Sequence, residues 1–177
     1  WNRTTDQARA EKLGQSFRGV MIEVRKVDSQ VLKQVRYQVL WPHLENETQA
    51  TIDIDPSEFA IHLAAFHNGN VVGVASLFRQ NCDRFPQQFK SLKVRRLRAM
   101  GVLDHMRGEG VGSFIIQKAM EELKSEGVDV VWCDAREVAW GFYESQGFKY
   151  GKQINGEDFP AYIVPDVGLH KMMFKSL

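Results

Sequence analysis

The sequence predicts an α/β protein built on one mixed sheet, antiparallel early in the chain and parallel in its middle, with helices packed against it. Three observations carry that expectation. Around Asn68-Gly69, two apolar runs face each other across the residue pair that a two-residue hairpin turn prefers. Gly110 to Glu126 has helical apolar spacing, with Phe114, Ile115, Ala119 and Leu123 inward, and is followed by Gly127 and the apolar run Val128 to Cys133. Glycine just past a helix, then a strand apolar on both faces, is the pattern of a β–α–β unit.

Each element can be justified in turn. Residues 1–17 are polar and weakly patterned and read as an N-terminal arm, leaving 18–177 as the domain. Val20 to Val24 is the first strand. Asp28 or Ser29 can cap the helix that follows, which places Val31, Leu32, Val35 and Val39 on one face. Pro42 should end it, because the residue before a proline avoids helical angles. Pro42 to Pro56 reads as an acidic loop with room for a short helix. Phe59, Ile61, Leu63 and Ala65 alternate as a strand, and Val71 to Leu77 returns. Gln80 to Gln88 is a second polar loop. Leu92 to Leu103 is a strand with a cationic run (Lys93, Arg95, Arg96, Arg98). After the β–α–β unit, Glu137 to Gln146 is a short helix ended by Gly147. Phe148 to Ile154 and Gly168 to Phe174 are the last strands.

The 177 residues include 23 Lys and Arg against 22 Asp and Glu, a formal net charge of +1. That balance excludes a bulk polyanion binder but permits a local basic patch. The cationic strand lacks interleaved aromatics, so a solvated strand face, or a surface attracting a ligand's phosphates or an acidic acceptor, is expected and no nucleic acid partner. Cys82 and Cys133 match neither a disulfide framework nor zinc-ligand spacing, and free thiols in a reducing compartment are expected. His43, His62, His67 and His105 share no ligand spacing; surface or loop positions are expected, and no metal. No apolar run approaches the ~20 residues that span a bilayer. The expectation is a cytoplasmic chain with no membrane partner.

The chemistry-bearing stretch is Met100 to Ser113, with Arg107-Gly108-Glu109-Gly110-Val111-Gly112-Ser113 at its end. A strand ends there and glycines open a helix. Glycine allows close backbone approach, and a helix start presents unpaired N–H groups and positive dipole. Such a turn can cradle a diphosphate, and Arg107 adds charge. A turn that only packs a helix closely fits the same residues. Walker and dinucleotide fingerprints do not, since no Lys follows the glycines and the glycine period is wrong.

This stretch resembles the GNAT family of acyl-CoA-dependent N-acetyltransferases. Three further features match in order: the strand ending Met100-Gly101-Val102, the apolar strand ending Trp132-Cys133-Asp134, and Phe142-Tyr143-Glu144-Ser145-Gln146-Gly147-Phe148. Gly168 to Met172 is also similar to a subgroup of small bacterial acetyltransferases of unsettled substrate. The resemblance implies a central mixed, splayed sheet flanked by helices, and residues 18–177 as an N-acetyltransferase domain. It implies transfer of an acetyl group from acetyl-CoA to a primary amine of a small molecule or peptide. The diphosphate would lie on the N–H groups of Gly108, Glu109, Gly110, Val111, Gly112 and Ser113 beside Arg107. The pantetheine would pair with Met100, Gly101 and Val102, and the Val102 N–H would face the thioester oxygen. Tyr143 is implied as general acid, although a core aromatic fits the same position. Asp134 is a base candidate with a structural alternative, capping a helix or pairing with Arg136. His170 is the other base candidate. Arg136 stands where many members have an Asn touching the cofactor. Arg36 and Tyr37 are candidates for the acceptor side, the alternative being a solvated Arg and a packed Tyr. Two rival readings remain: a non-catalytic acyl-CoA sensor, and an acyl-homoserine-lactone-type synthase on the same fold. A homodimer through the last strands is allowed, with no residue that specifies it.

Overall fold

The structure is a computed structural model that describes residues 15–17 and 19–177. The chain divides into two compact units. The first holds the described residues up to Ser76 together with Ala99–Ala119, and the second holds Leu77–Arg98 and Met120–Leu177.

In the first unit, β1 (Gln15–Phe17) and β2 (Val20–Lys26) pair antiparallel around Gly19, with Gln15 opposite Ile22. The hairpin therefore begins inside the stretch read as an arm. Residues 1–14 of that arm lie outside the described residues. Strand β2 pairs antiparallel with β3 (Ile61–His67), Lys26 opposite Leu63. Asn68 and Gly69 have φ of 50° and 78°, the left-handed pair expected, and β4 (Asn70–Phe78) follows. The expected alternation in β3 is corrected: Ile61 to Ala65 are all buried, and Phe59 lies before the strand, 44% exposed. Strand β3 lies between β2 and β4, and interior strands covered on both faces lose the polar alternation.

The helical stretch 29–40 (α1) starts where expected, with the Asp28 carboxylate accepting from the Gln30 N–H at 2.9 Å. It is not one regular helix. A tight turn (Ser29–Leu32) passes through Lys33–Val35 into a wide turn (Arg36–Leu40) closed by the Trp41 N–H on the Arg36 carbonyl at 3.0 Å. The change of pitch moves residues off a single stripe. Leu32 and Val35 pack with Ala64 and Val74, while Val31 is exposed. Helix α2 (Val111–Ser125) has its core face at Val111, Ile115, Ile116, Ala119, Met120 and Leu123; Phe114 is only half-buried. Gly73 brings α2 onto β4: a Cβ there would meet Val111 at 2.8 Å and Ile115 at 2.9 Å.

In the second unit, β5 (Val94–Val102) begins parallel to β6 (Val130–Arg136). The ladder runs from Val94–Val130 to Arg96–Trp132 and stops, although both strands continue. Three residues on, Ala99 has φ of 50°. A left-handed residue inside a strand marks a bulge, which bends the strand and raises its twist. Strand β6 pairs antiparallel along its length with β9 (Gly168–Ser176). The other edge of β9 holds β7 (Lys149–Tyr150) and β8 (Tyr162–Val164), with α3 (Trp140–Ser145) preceding β7. The sequence reading did not anticipate β8. Cys82, Phe89, Val130, Trp132 and Met172 form the core of this unit.

The cationic strand is not a solvated face. Arg95 is 1% exposed and pairs with Glu126, Arg96 pairs with Asp134 at 2.6 Å, and the Lys93 ammonium donates to the Glu126 carbonyl. The charges of Arg95 and Arg96 are spent within the unit, because a buried guanidinium must be paired to be tolerated.

Candidate active site

The glycine-rich turn lies in the first unit. Beyond the Ala99 bulge, Gly101 runs under the wide turn of α1, and a Cβ there would stand 3.1 Å from Val39 and 3.2 Å from Leu40. Met100 and Val102 flank it, both half-buried. The Leu103 N–H donates to the Val72 carbonyl at 2.9 Å, tying the strand end to β4. A single turn at Asp104–Met106 buries Met106 and leaves Arg107 exposed, 3.1 Å from Asp104. Gly108 and Gly110 both have φ of 78°, a region costly for any residue with a Cβ. The Gly110 carbonyl accepts from Phe114 at 3.1 Å, so the first-turn N–H groups of α2 come directly after it. These groups have no acceptor of their own within the helix. Nothing stands within 4 Å of a Cβ on Gly108, whereas Gly110 carries the Phe17 ring, whose nearest atom is 3.1 Å from that position. An open, left-handed glycine turn feeding a fifteen-residue helix fits a phosphate group. Glu109 belongs to the same turn, and Val111, Gly112 and Ser113 open α2.

Arg36 is corrected. It is completely buried, and its guanidinium reaches Asp55 at 2.6 and 2.9 Å, Ser76 Oγ at 2.8 Å and the Ala50 carbonyl at 3.4 Å. Fully enclosed, it has no face for an acceptor, and it is not a solvated Arg either. His62 is no surface residue: it is buried beside Ser76 Oγ at 2.8 Å and the Asp55 carbonyl at 2.9 Å. That carbonyl can only accept, so the Nε2–H donates to it. Burial pushes the Asp55 carboxyl up, but bonds from Arg36 and the Ile52 N–H, with the charges of Arg36 and His62, hold it below its usual value. Tyr37, next to Arg36, is half-buried.

The second unit holds the acid and base candidates. Tyr143 on α3 is buried between the edges of Phe142 and Phe148, at ring distances of 5.3 and 5.2 Å. Burial, then the neighbouring Cys133, raises its phenol well above 10, so it stays protonated and can donate but not accept a proton. Asp134 on β6 does not pair with Arg136 and caps no helix. One carboxylate oxygen accepts from Arg96 at 2.6 Å and the other from the Tyr162 phenol. His170 on β9 is buried, and its Nδ1–H donates to the Gly168 carbonyl at 2.7 Å. That bond fixes the tautomer and leaves Nε2 with the lone pair. Arg136 lies opposite His170 in the β6–β9 ladder, at the start of the turn into α3.

Two contributors had little sequence signal. Ala99 shows nothing to mark a left-handed residue. Tyr162 lies in a four-residue run between Pro160 and Pro165, and prolines so close argue against a strand. Its ring nevertheless organises the second unit. Its phenol bonds Asp134, Arg84 lies 3.8 Å over its face, and the His170 ring is 6.4 Å away and nearly parallel.

Comparison with known proteins bears on the family and the fold. The chain is 31% identical over 157 residues to the uncharacterized N-acetyltransferase YitI of Bacillus subtilis, covering 89% of this chain and 97% of that one. Escherichia coli ElaA superposes with a TM-score of 0.64 at 20% identity, over 88% of this chain and 99% of that chain. An aminoglycoside 6'-N-acetyltransferase crystallised with coenzyme A gives a TM-score of 0.64 at 14% identity, over 86% and 96% of the two chains. Those two likenesses concern the fold. The model of the Acetyltransferase (GNAT) family matches residues 30–148, more than half of the chain. With the YitI likeness, that match makes this chain a member of the GNAT family and an acyltransferase.

Proposed function

We propose that the chain moves an acetyl group from acetyl-CoA to a primary amine of a small molecule or peptide. The observation that carries this is the open glycine turn, left-handed at Gly108 and Gly110, at the start of α2. Its N–H groups, from Gly108 to Ser113, would hold the diphosphate, with Arg107 supplying charge. Met100 to Val102 would offer backbone to the pantetheine, as a strand edge does to an added strand. Coenzyme A, when bound, supplies the activated acyl group and a thiolate leaving group. Tyr143 holds the proton that such a leaving group needs. An alkylamine is mostly protonated at neutral pH, so a base must remove a proton before attack. Between the two candidates the geometry favours His170, whose Nε2 lone pair is left available by the Gly168 bond. Asp134 already serves Arg96 and Tyr162 with its two oxygens.

The test is calorimetric titration with coenzyme A, followed by transfer assays on a panel of amines. The reading expects saturable binding and acetylated product. Replacing Tyr143 with Phe should lower kcat by about 100-fold or more, with coenzyme A affinity nearly unchanged. Absence of coenzyme A binding would sink the reading and favour a carrier-protein acyl donor.

A further inference from the structure

We infer that the acceptor amine also carries a carboxylate, and that Arg84 is the residue that reads it. The inference rests on the amine-transfer reading above and names the substrate class.

Arg84 is exposed, yet its guanidinium carbon sits over the Tyr162 ring at 3.8 Å. Stacking uses the face of the guanidinium and leaves its in-plane N–H fork unspent, the arrangement that binds a carboxylate through two parallel bonds. Among the described residues Arg84 has no ion pair, and its chain neighbour Asp83 forms none with it. The other cation at this cluster, Arg96, is neutralised by Asp134 at 2.6 Å. Arg84 is therefore left as the uncompensated charge. Holding a long side chain in one geometry costs rotamer freedom, and the stacking holds Arg84 before any ligand arrives.

Position supplies the second argument. The ring under Arg84 faces His170 across a strand pair, Tyr162 opposite His170 in the β8–β9 ladder. Arg84 and the group proposed as base are thus both neighbours of the same Tyr162 ring. Phe85 and Phe159 stack at 3.8 Å beside the same ring and give the acceptor body an apolar wall. The shared chemistry is an amine with a carboxylate, found in a free amino acid and in a peptide with a free C-terminus.

The experiment compares matched acceptors in the acetyl-transfer assay: an amino acid, its decarboxylated amine, a dipeptide, and the same dipeptide amidated at its C-terminus. The carboxylate-bearing member of a pair should be preferred by about 10- to 100-fold in kcat/KM, expressed mainly in KM. Arg84→Gln should erase that preference by weakening only the carboxylate-bearing acceptors, and Arg84→Lys should restore part of it. Coenzyme A affinity and the rate on decarboxylated amines should not move. The free-acid dipeptide outranking the amino acid identifies a peptide source, and the reverse a small molecule. Equal rates for both members of every pair, or an equal loss on all acceptors in Arg84→Gln, overturns the inference. If wild type acetylates no amine, the transfer reading fails separately. Titration of amino acid into the protein then decides: carboxylate-dependent binding lost in Arg84→Gln supports the site, and no binding overturns it.

Discussion

At the scale of single residues, Arg36 shows how position and chemistry divide. Leu32, Val35, Arg36 and Val39 fall on adjacent helical positions, and an arginine placed among apolar residues must be buried with a partner or turned away. The sequence shows the arginine but not the partner, because Asp55 and Ser76 come from a loop and a strand far along the chain. The bidentate pair is buried at both ends, so removing one partner leaves an uncompensated charge. Arg36→Met alone should destabilise the fold by about 3–5 kcal/mol in urea unfolding, and Arg36→Met with Asp55→Leu should recover a large part of that loss. Tyr143 is a contrast: the candidate acid travels with a contiguous signature, Phe142 to Phe148. The Asp134 partners were not legible, since Arg96 and Tyr162 arrive from two other strands.

At the scale of elements, legibility followed how local the determinant is. The β3–β4 hairpin is encoded in Asn68-Gly69, and the start of α1 in the Asp28 side chain. The irregular pitch of α1, the bulge at Ala99 and the addition of β8 depend on what each segment packs against. Gly73 is such a case: nothing local demands it, yet α2 could not lie where it does with a side chain there. Gly73→Ala forces a methyl to within 2.8 Å of Val111, a β-branched side chain with little rotamer freedom. Overpacking of this kind costs about 1–3 kcal/mol. The expected outcome is a lower melting temperature and a raised Kd for coenzyme A, because α2 carries the glycine turn at its start. Calorimetry on the variant measures both.

At the scale of the whole molecule, the net charge of +1 includes charges paired inside the fold. Arg36–Asp55, Arg95–Glu126 and Arg96–Asp134 withdraw opposite charges together. The acid stability of the chain should carry that signature. Asp55 titrates below its unfolded value of 3.8, so its contribution is fully present above that value. It is lost as pH falls through the lower, folded one. Urea midpoints measured from pH 5 downward should fall steeply near and below pH 4 in wild type. They should fall less steeply in Asp55→Asn, which has no carboxylate to protonate. Salt should alter this little, because a buried pair is weakly screened.

The two cysteines, both buried, have a consequence for watching the reaction. Burial, and after it the neighbouring Asp134 charge, raises both thiols above their ordinary value, and the thiolate is the form that reacts. A thiol-specific dye added to the native enzyme should therefore see almost none of the protein's own sulfur. Colour that develops during turnover would report the liberated coenzyme, giving a continuous optical trace against a silent background. Denaturant would then uncover two further equivalents per chain, an internal standard for enzyme concentration in the same cuvette.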